Sequence, residues 1–295
     1  MIVRRRLDFL RLYQHVGLHL ALLLAYDILI TVLYVVFEWH RLAITNLPLP
    51  LLGSAIALVV TLRNNASYDR WSEGRALWGS VVNNSRSFAR GLVTMTTDPA
   101  LQATLIRHQV AYALGLRCHL LRQPPWEALA DYLPAATIDR LRLAANVPAA
   151  LQLEIARQLA DAQRRNAVDS IGLAALDLTL SALANAQGGL ERIKNTPLQR
   201  QYNQFPQIFI RLYCLLLPLG LVHELGYLTP AGSTVIGFMF LALDRIGHDL
   251  EDPFEATIHD IPMLAITRTI EVDLLQMIDS KEVPAPVREI DGVLW

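Results

Sequence analysis

The sequence predicts an all-α membrane protein with four transmembrane helices continuous with a cytoplasmic helical bundle. Of its 295 residues, 53% are hydrophobic and only 18% are charged, whereas soluble domains carry about 25% charged residues. Four stretches are apolar and near membrane length, and the remainder repeats apolar residues at helical spacing with no strand-like alternation. The net charge of −1 gives no electrostatic attraction toward nucleic acid.

The four apolar stretches are residues 16–37, 47–62, 205–228 and 229–247. The first is long enough to cross a hydrocarbon core of about 30 Å. The second is short, but it continues as one helix through the polar segment "RNNASYDRWSEGR" (63–75) with no Gly or Pro before Gly74. A helix that leaves the bilayer without a turn would suit a protein with a wet interior.

Basic residues fix the expected orientation of these helices. Arg41 alone separates the first two stretches, and no Lys or Arg separates the third and fourth. The other clusters flank the stretches on the opposite side: Arg4, Arg5, Arg6, Arg11, Arg63, Arg70, Arg75, Arg192, Lys194, Arg200 and Arg245. Both chain ends are therefore expected in the cytoplasm.

This pattern divides the chain into five segments. They are an N-terminal arm (1–15), the first two transmembrane helices (16–74), a cytoplasmic helical region (75–204), the last two transmembrane helices (205–247) and a C-terminal helix and tail (248–295). Within the cytoplasmic region, residues 148–193 predict a long helical stretch that ends at Gly188 and Gly189. Residues 281–295 predict an extended tail. Cys118 and Cys214 are expected to be free thiols.

Three charged residues, Asp27, Arg211 and Asp244, lie inside or at the rims of the apolar stretches. A charge at the bilayer centre costs roughly 2.5–3.5 kcal/mol on insertion scales. These side chains either pair across helices near the membrane surface or face a water-filled interior. The sequence favours pairing and leaves both interpretations open.

The second apolar stretch carries one stripe of candidate pore residues. Ser54, Leu58 and Leu62 share a helical face, which leads to Asn65, Asp69 and Glu73. An apolar constriction followed by a polar vestibule would give this order, because apolar rings gate pores by dewetting. Periodicity alone favours the alternative in which the stripe packs against a neighbouring helix.

The segment "LRNNASYDRWSEGRALWGSVVNNSRSFAR" (62–90) closely resembles the signature of the bestrophin family, in its bacterial and plant-like branch. "QRRN" (163–166), "ERIKNTPLQ" (191–199), "YLTP" (227–230) and "DLEDPFEATIHDIPM" (249–263) agree in order and spacing. The resemblance extends from the N-terminus to about residue 280. Ser72 departs from it, because many relatives have a second aromatic residue beside Trp71.

The resemblance implies a cyclic homopentamer in a bacterial cytoplasmic membrane, with an ion pore on its axis. The pore neck maps to Ser54, Leu58 and Leu62, with Ser54 replacing a larger aliphatic residue of relatives. A second, cytoplasmic aperture falls at Ile171 or Gly172, just after "QRRN". The expected partners are identical subunits, the lipid bilayer and permeant monovalent ions.

Selectivity for monovalent cations is the expectation from the sequence. Asp169 and Asp177 near the aperture would form rings of negative charge in a pentamer, and rings of carboxylates favour cations. Bacterial bestrophins typically pass cations, whereas animal members pass chloride. Neighbouring arginines such as Arg164 and Arg165 count against this choice. The alternatives are an anion channel of the same family and a non-conducting accessory membrane protein.

The segment "GHDLEDPFEATIHD" (247–260) combines two histidines with several carboxylates, at the place where animal bestrophins bind calcium. Calcium prefers six to eight oxygen ligands, and Leu250 and Pro253 interrupt the acidic run. Asp249, Glu251 and Asp252 are therefore weak metal candidates, and no cofactor is expected. The preferred interpretation is an acidic helix end and turn, held by arginines of the N-terminal arm.

An enzyme is the alternative from a different class, a membrane metallohydrolase. Its ligands would be drawn from His248, Asp249, Glu251, Asp252 and His259. Their spacing matches no metal-binding pattern such as HExxH, and the chain carries no GxSxG, Walker or GxGxxG motif. The sequence therefore predicts that the protein is not an enzyme.

Overall fold

The computed structural model describes Met1 and residues 9–295, with side chains described from residue 17 onward. The described part of the chain is helical, and its only β-type pairings are isolated bridges at Thr96–Val168 and Ile290–Val293. The α-helices in it are α1 (Phe9–Val35), α2 (Leu49–Met95), α3 (Pro99–Leu120), α4 (Trp126–Ala130), α5 (Ala135–Leu141), α6 (Val147–Arg164), α7 (Ser170–Asn195), α8 (Arg200–Leu225), α9 (Thr229–Glu251) and α10 (Met263–Gln276).

Three helices begin at polar caps that the sequence supplies. Asp98 precedes α3 and accepts hydrogen bonds from the backbone N–H groups of residues 100 and 101. Asn146 caps α6 at a distance of 3.0 Å from the amide nitrogen of residue 149. Asp169 caps α7 through the amide of Gly172, at 2.6 Å. Such side chains satisfy N–H groups that have no partner within the helix.

The chain divides into two compact units, and the first, the membrane unit, comprises Arg4–Arg70 and Pro197–Asp252. In it α1 packs against α8 and α9, and α8 packs against α9. Small residues permit these contacts. A Cβ atom added to Gly237 would lie 2.3 Å from the Leu23 side chain, and one added to Gly220 would lie 2.6 Å from Leu49. Close backbone approach at glycine is typical of membrane helix packing.

Three stretches of helix have the length and composition to cross a membrane: Gly17–Val35, Leu49–Met95 and Arg200–Glu251. The last contains both α8 and α9, joined by a 3₁₀ turn at Gly226–Leu228. Gly226 has a φ of 50°, a left-handed conformation that glycine adopts without strain. The third and fourth apolar stretches of the sequence therefore lie in two successive helices, and the count of four spans stays a prediction.

Two of the intramembrane charges have partners on neighbouring helices. The Asp27 carboxylate is buried in α1 and accepts hydrogen bonds from Ser233 and Thr234 of α9, at 3.1 and 3.0 Å. Asp244 forms an ion pair of 2.6 Å with the buried Arg63. Pairing across helices, the interpretation that the sequence favours, is thus the arrangement found for Asp244.

The second unit, the helical body, comprises Met1–Val3, Trp71–Thr196 and Pro253–Trp295. Its core is one hydrophobic cluster to which most of its helices contribute. Trp78 and Phe88 of α2, Tyr112 of α3, Leu151 of α6 and Ile270 of α10 are fully buried in it. The α3 helix packs against α6, α7 and α10, so its apolar residues surround it on all sides rather than following one stripe.

The expected single helical stretch over 148–193 is wrong in two respects. The chain forms two helices, because a turn at residues 165–169 separates α6 from α7. The α7 helix then continues through Gly188 and Gly189 to Asn195. A Cβ atom on Gly189 would lie 2.8 Å from the side chain of Leu77 in α2. Gly189 therefore permits close packing of α7 on α2 and does not end the helix.

The C-terminal tail contains no helix from residue 281 onward and lies along the helical body. The amide of Ala265 in α10 donates to the carbonyl of Trp295 at 2.6 Å, and Val293 is buried. The tail is thus non-helical, and a turn at residues 291–292 joins the isolated bridge between Ile290 and Val293. Cys118 and Cys214 are both buried free thiols. From the sequence, arginines of the N-terminal arm are expected to hold the acidic segment (247–260). Most of these arginines belong to residues 2–8, which lie outside the described residues.

Candidate pore-lining surface

The α2 helix has two faces of different character along its membrane half. The exposed face carries the three candidate neck residues Ser54, Leu58 and Leu62, with 63% of the Leu58 side chain and 50% of Leu62 exposed in the isolated subunit. The opposite face is buried and consists of Gly53, Val60, Arg63 and Ser67. The exposed stripe continues toward the C-terminus as Asn65, Asp69 and Glu73. The sequence-derived stripe is thus a continuous exposed line on one subunit.

Polar contacts on the buried face fix the rotation of α2. Arg63 Nη1 donates to the Asp244 carboxylate at 2.6 Å, and Nη2 donates to the Asp244 carbonyl at 2.5 Å. The amide of Asn64 donates to the carbonyl of Leu243 at 2.8 Å. A Cβ atom on Gly247 would collide with Asn64, so only glycine admits this contact. With Arg63 directed toward α9, the stripe of Ser54, Leu58 and Leu62 points the other way.

Arg63, Asn64 and Asn65 at the polar end of the second apolar stretch have different surroundings. The sequence places "RNN" (63–65) directly after the candidate neck, where the residues would contact either ions or neighbouring helices. Arg63 and Asn64 bind α9, whereas Asn65 is exposed on the stripe. The Arg63–Asp244 pair was not predicted, because its members are 181 positions apart and no local pattern joins them.

The acidic residues that follow the stripe differ in their contacts. Asp69 is exposed. Glu73 accepts a charge-assisted hydrogen bond from Arg192 of α7. The neighbouring Arg70 turns toward α9, where its Nε donates to the Glu251 carbonyl at 3.2 Å and a terminal nitrogen lies 4.0 Å from the Asp252 carboxylate.

The turn between α6 and α7 positions the candidate aperture. The amide of Asn166 donates to the Gln163 carbonyl at 3.0 Å, and that of Ala167 donates to the Ala162 carbonyl at 2.9 Å. This pair of bonds is a Schellman motif, which requires a left-handed residue at the first position after the cap. Asn166 occupies that position with φ 58°, which asparagine tolerates better than most residues. The asparagine of "QRRN" therefore has a structural role that the motif alone did not reveal.

The two residues proposed for the aperture have opposite environments. Ile171 is 79% exposed on the first turn of α7, whereas Gly172 is buried. A Cβ atom on Gly172 would lie 3.0 Å from both Asp169 and Val168. Leu178, two turns further along α7, is also exposed. Of the two residues, only Ile171 presents a side chain to the outside of the subunit.

The charged side chains near the candidate aperture differ in their contacts and exposure. The Asp169 carboxylate points at the start of its own helix, where it accepts from the Gly172 amide. Asp177 is exposed on α7. Arg164 forms an ion pair of 2.7 Å with Asp161, and Arg165 is exposed.

Several carboxylates of the acidic segment (247–260) have partners within the subunit. Asp260 is buried and accepts hydrogen bonds from the amides of Glu255 and Thr257, at 2.7 and 3.0 Å. Asp249 lies 2.9 Å from Arg245, and Glu251 accepts from Asn203 at 2.6 Å. In the described part of the chain, no group of three or more His, Cys, Asp or Glu side chains is placed to hold a metal ion.

The residues considered for an enzyme also have structural contacts. His248 lies 3.9 Å from Glu251, and Asp252 is exposed beside Arg70. In the helical body, the His259 carbonyl accepts from the indole N–H of Trp71 at 3.2 Å. Trp71 belongs to the signature segment, so part of that segment serves to anchor α2 to the loop before α10.

Comparisons with known proteins match nearly the whole chain. The family model described as Bacterial/Fungal Bestrophin protein matches residues 7–276. The voltage-dependent anion channel-forming protein YneE of Escherichia coli (strain K12) is 38% identical over 269 residues, 90% of this chain and 88% of its own length. The voltage-dependent anion channel-forming protein RSc3414 of Ralstonia nicotianae is 36% identical, over 79% of this chain and 78% of its own.

Solved structures match the fold as well. The crystal structure of a bacterial bestrophin homologue from Klebsiella pneumoniae superposes with a TM-score of 0.87 at 30% identity. The superposition covers 90% of this chain and 100% of that chain. The similarity therefore extends to the helical body as well as to the membrane helices.

Proposed function

Because this chain belongs to the bestrophin family, whose members are ion channels and not enzymes, we propose that it assembles as a homopentameric channel lined by the exposed stripe of α2. The observation that carries this proposal is the two-faced α2 helix. Arg63 and Asn64 bind α9 on one side, which leaves Ser54, Leu58 and Leu62 on the other. An axis of symmetry along that face would convert each exposed residue into a ring.

Rings of leucine supply the proposed neck gate. Leu58 and Leu62 are one helical turn apart, so in an assembly they form two apolar layers about 6 Å apart along the helix. Water leaves a sufficiently narrow apolar constriction, and ions then meet a desolvation barrier. Ser54 on the preceding turn brings a hydroxyl into the same line. Asn65 and Asp69 follow Leu62 toward the C-terminus of α2, where permeating ions would regain polar contacts.

Ile171 is the proposed second constriction. An isoleucine that is 79% exposed at the start of a helix in a polar body lacks a packing role within its own subunit. A ring of these side chains in the assembly would give each one apolar neighbours and would narrow the permeation path. Gly172 is buried and contributes backbone only.

For selectivity we propose anion conduction in place of the cation selectivity expected from the sequence. The E. coli and Ralstonia relatives are named anion channel-forming proteins, which supports this choice. Two carboxylates near the proposed path are also engaged. Asp169 caps α7, and Glu73 accepts from Arg192. One specific observation favours cations as the second candidate, since Asp69 and Asp177 are exposed.

The test is the reversal potential of the purified protein in planar bilayers under a KCl gradient. A shift toward the chloride potential supports anion conduction, and a shift toward the potassium potential overturns it while retaining the channel. Leu58→Ala and Ile171→Ala are expected to raise the current. Leu29→Ala is the matched control, because Leu29 of α1 is 54% exposed but lies outside the proposed path. No current from well-folded protein would favour the accessory-protein alternative.

We also propose insertion in the bacterial cytoplasmic membrane with both chain ends in the cytoplasm. The basic residues listed above, all flanking the same ends of the apolar stretches, support this orientation. Reporter fusions that are active only in the cytoplasm test it at residue 295 and at Arg41. Activity at residue 295 and none at Arg41 is the expected result, and the reverse pattern contradicts it.

A further inference from the structure

The membrane unit contains a cavity of about 340 Å³ between three helices. It is lined by His19 of α1, by Gln207, Ile210 and Arg211 of α8, and by Leu241, Asp244, Arg245 and His248 of α9. The lining therefore combines basic and apolar side chains with one carboxylate, that of Asp244. Neither the neck stripe nor the aperture includes any of these residues. The cavity is therefore a separate feature that ion conduction does not explain.

The basic residues of this cavity lie at one end of the helices. Tyr26 of α1 donates to the carbonyl of Leu215 in α8, and Tyr34 contacts His223, so α1 and α8 run in parallel. Asp27 contacts Ser233, and Leu23 lies against Gly237, so α9 runs antiparallel to α1. The early part of α1, the first half of α8 and the last turns of α9 consequently lie together. This is the end that the charge pattern assigns to the cytoplasm.

One of the two arginines that line the cavity has no carboxylate partner among the described residues. The Asp244 carboxylate is held by Arg63 at 2.6 Å, and Arg245 lies 2.9 Å from Asp249. Arg211 is exposed, and no described carboxylate lies within ion-pair distance of it. Arg211 is therefore the lining arginine whose charge no described carboxylate offsets by direct pairing.

Arg211 lacks a described carboxylate partner and is therefore available to an anionic ligand. It lies within the membrane-capable stretch Arg200–Glu251, and within a membrane a charged side chain is tolerated only if it is paired or reaches water. Arginine binds phosphate through two parallel N–H donors, which suits it to this role. Ile210 and Leu241 add an apolar wall beside it. Basic pockets between transmembrane helices on the cytoplasmic side are typical binding places for anionic headgroups.

We propose that this cavity binds the phosphate headgroup of an anionic membrane lipid, with Arg211 as its principal ligand. Arg245 and the imidazole N–H groups of His19 and His248 provide further donors around the phosphate. The apolar wall of Ile210 and Leu241 contacts the glycerol and the first acyl carbons. The site is independent of which ion the channel passes.

Native mass spectrometry of the delipidated, purified protein tests the proposal, with phosphatidylglycerol and phosphatidylcholine as the probes. Phosphatidylglycerol is expected to bind more tightly than phosphatidylcholine, and Arg211→Gln is expected to weaken its binding about fivefold, the effect of one basic residue at a membrane surface. Arg41→Gln is the matched control, since it removes an exposed arginine at the other end of the helices. Arg211→Lys should retain part of the preference.

Three results would overturn the assignment. Equal phosphatidylglycerol binding by wild type and Arg211→Gln would show that Arg211 is not a ligand. Full displacement of the lipid by equimolar glycerol phosphate would show that the ligand is a soluble phosphate. Dissociation of the oligomer by Arg211→Gln, with lipid binding per subunit unchanged, would identify an acidic group of a neighbouring subunit as the true partner. The melting temperature of each variant shows whether it is folded.

Discussion

Leu58 and Ile171 are both exposed apolar side chains, but their surroundings are of opposite kinds. Leu58 belongs to the membrane unit, where other apolar residues such as Leu29, Leu212 and Val235 are also exposed. Ile171 starts a helix in the helical body, between the exposed polar residues Ser170 and Asp169 and the buried Gly172.

The difference shows how far exposure alone identifies a pore residue. In a membrane unit an exposed leucine contacts lipid, a neighbouring subunit or a pore, so its exposure is ordinary. In the helical body Ile171 is 79% exposed, but Leu143 and Leu178 are also exposed there, at 90% and 72%, and single apolar residues on a surface are common. The neck assignment therefore depends on the rotation of α2 set by Arg63, whereas the aperture assignment depends on the family resemblance that maps it to Ile171.

The largest expected effect comes from breaking the contact that sets this rotation. Asp244→Ala leaves Arg63 buried and without its carboxylate, and removing one partner of a buried ion pair costs about 3–5 kcal/mol. We expect a markedly lower melting temperature in detergent and loss of assembled protein. The control is Asp252→Ala, whose 58% exposed carboxylate lies 4.0 Å from Arg70 and whose loss should have little effect. Equal stability of the two variants would contradict the proposed anchoring of α2.

A smaller loss of stability is expected at the candidate aperture. Asp169 both caps α7 and carries a negative charge there. Asp169→Ala removes the hydrogen bond to the Gly172 amide and should destabilise the helical body by about 1 kcal/mol. Asp169→Asn keeps the cap and removes the charge, so its stability should match wild type. Thermal unfolding compares the three proteins. A reversal potential that moves toward chloride in Asp169→Asn would show that the carboxylate still acts on the permeating ion.

Acid is expected to weaken the helical body through His108. This buried side chain contacts the Thr104 carbonyl through Nδ1 at 2.8 Å and the Gln158 amide through Nε2 at 3.2 Å, an arrangement that suits the neutral ring. Burial lowers the pKa of His108 below the usual 6.5. The unfolded chain therefore takes up the proton first, so the stabilisation is complete above pH 6.5 and is lost as the pH falls below it.

Hydrogen exchange of α3 and α6 measures this loss, together with melting temperatures between pH 7.5 and 5.5. Wild type should lose more stability over this range than His108→Gln, which does not titrate. Parallel curves for the two proteins would show that other groups cause the acid sensitivity.

The smallest expected effect is that of calcium. Asp260 binds backbone amides, Asp249 lies beside Arg245, and Glu251 accepts from Asn203, so we propose that the channel works without bound calcium. Currents before and after addition of a calcium chelator should be equal. A reversible fall in current on chelation would instead point to a calcium site in the acidic segment.

Much of the fold follows from local patterns in the sequence. The apolar stretches become α1, the first half of α2, α8 and α9, and the stripe of Ser54, Leu58 and Leu62 is exposed as a single line. These features depend on helical periodicity, which sequence reports directly. The motifs of the signature segment also identified the family, which the family model confirms over residues 7–276.

The features that sequence missed depend on contacts between distant residues. The break between α6 and α7 depends on Asn166 in a left-handed conformation, a weaker helix-ending signal than glycine. Glycine is a common helix-ending residue, but Gly189 lies inside α7, where its missing side chain admits Leu77 of α2. The Arg63–Asp244 pair and the cavity around Arg211 likewise bring together residues far apart in the chain.

Cysteine accessibility at the neck tests whether the exposed stripe of α2 lines the pore. A charged thiol reagent is applied to channels carrying Leu58→Cys and, as the matched control, Leu29→Cys, while the current is recorded. The native Cys118 and Cys214 are buried, so unmodified channels give the background. We expect the reagent to change the current through Leu58→Cys channels and to leave the current through Leu29→Cys channels unaltered. A response of Leu29→Cys and none of Leu58→Cys would place the pore on a different face of the subunit.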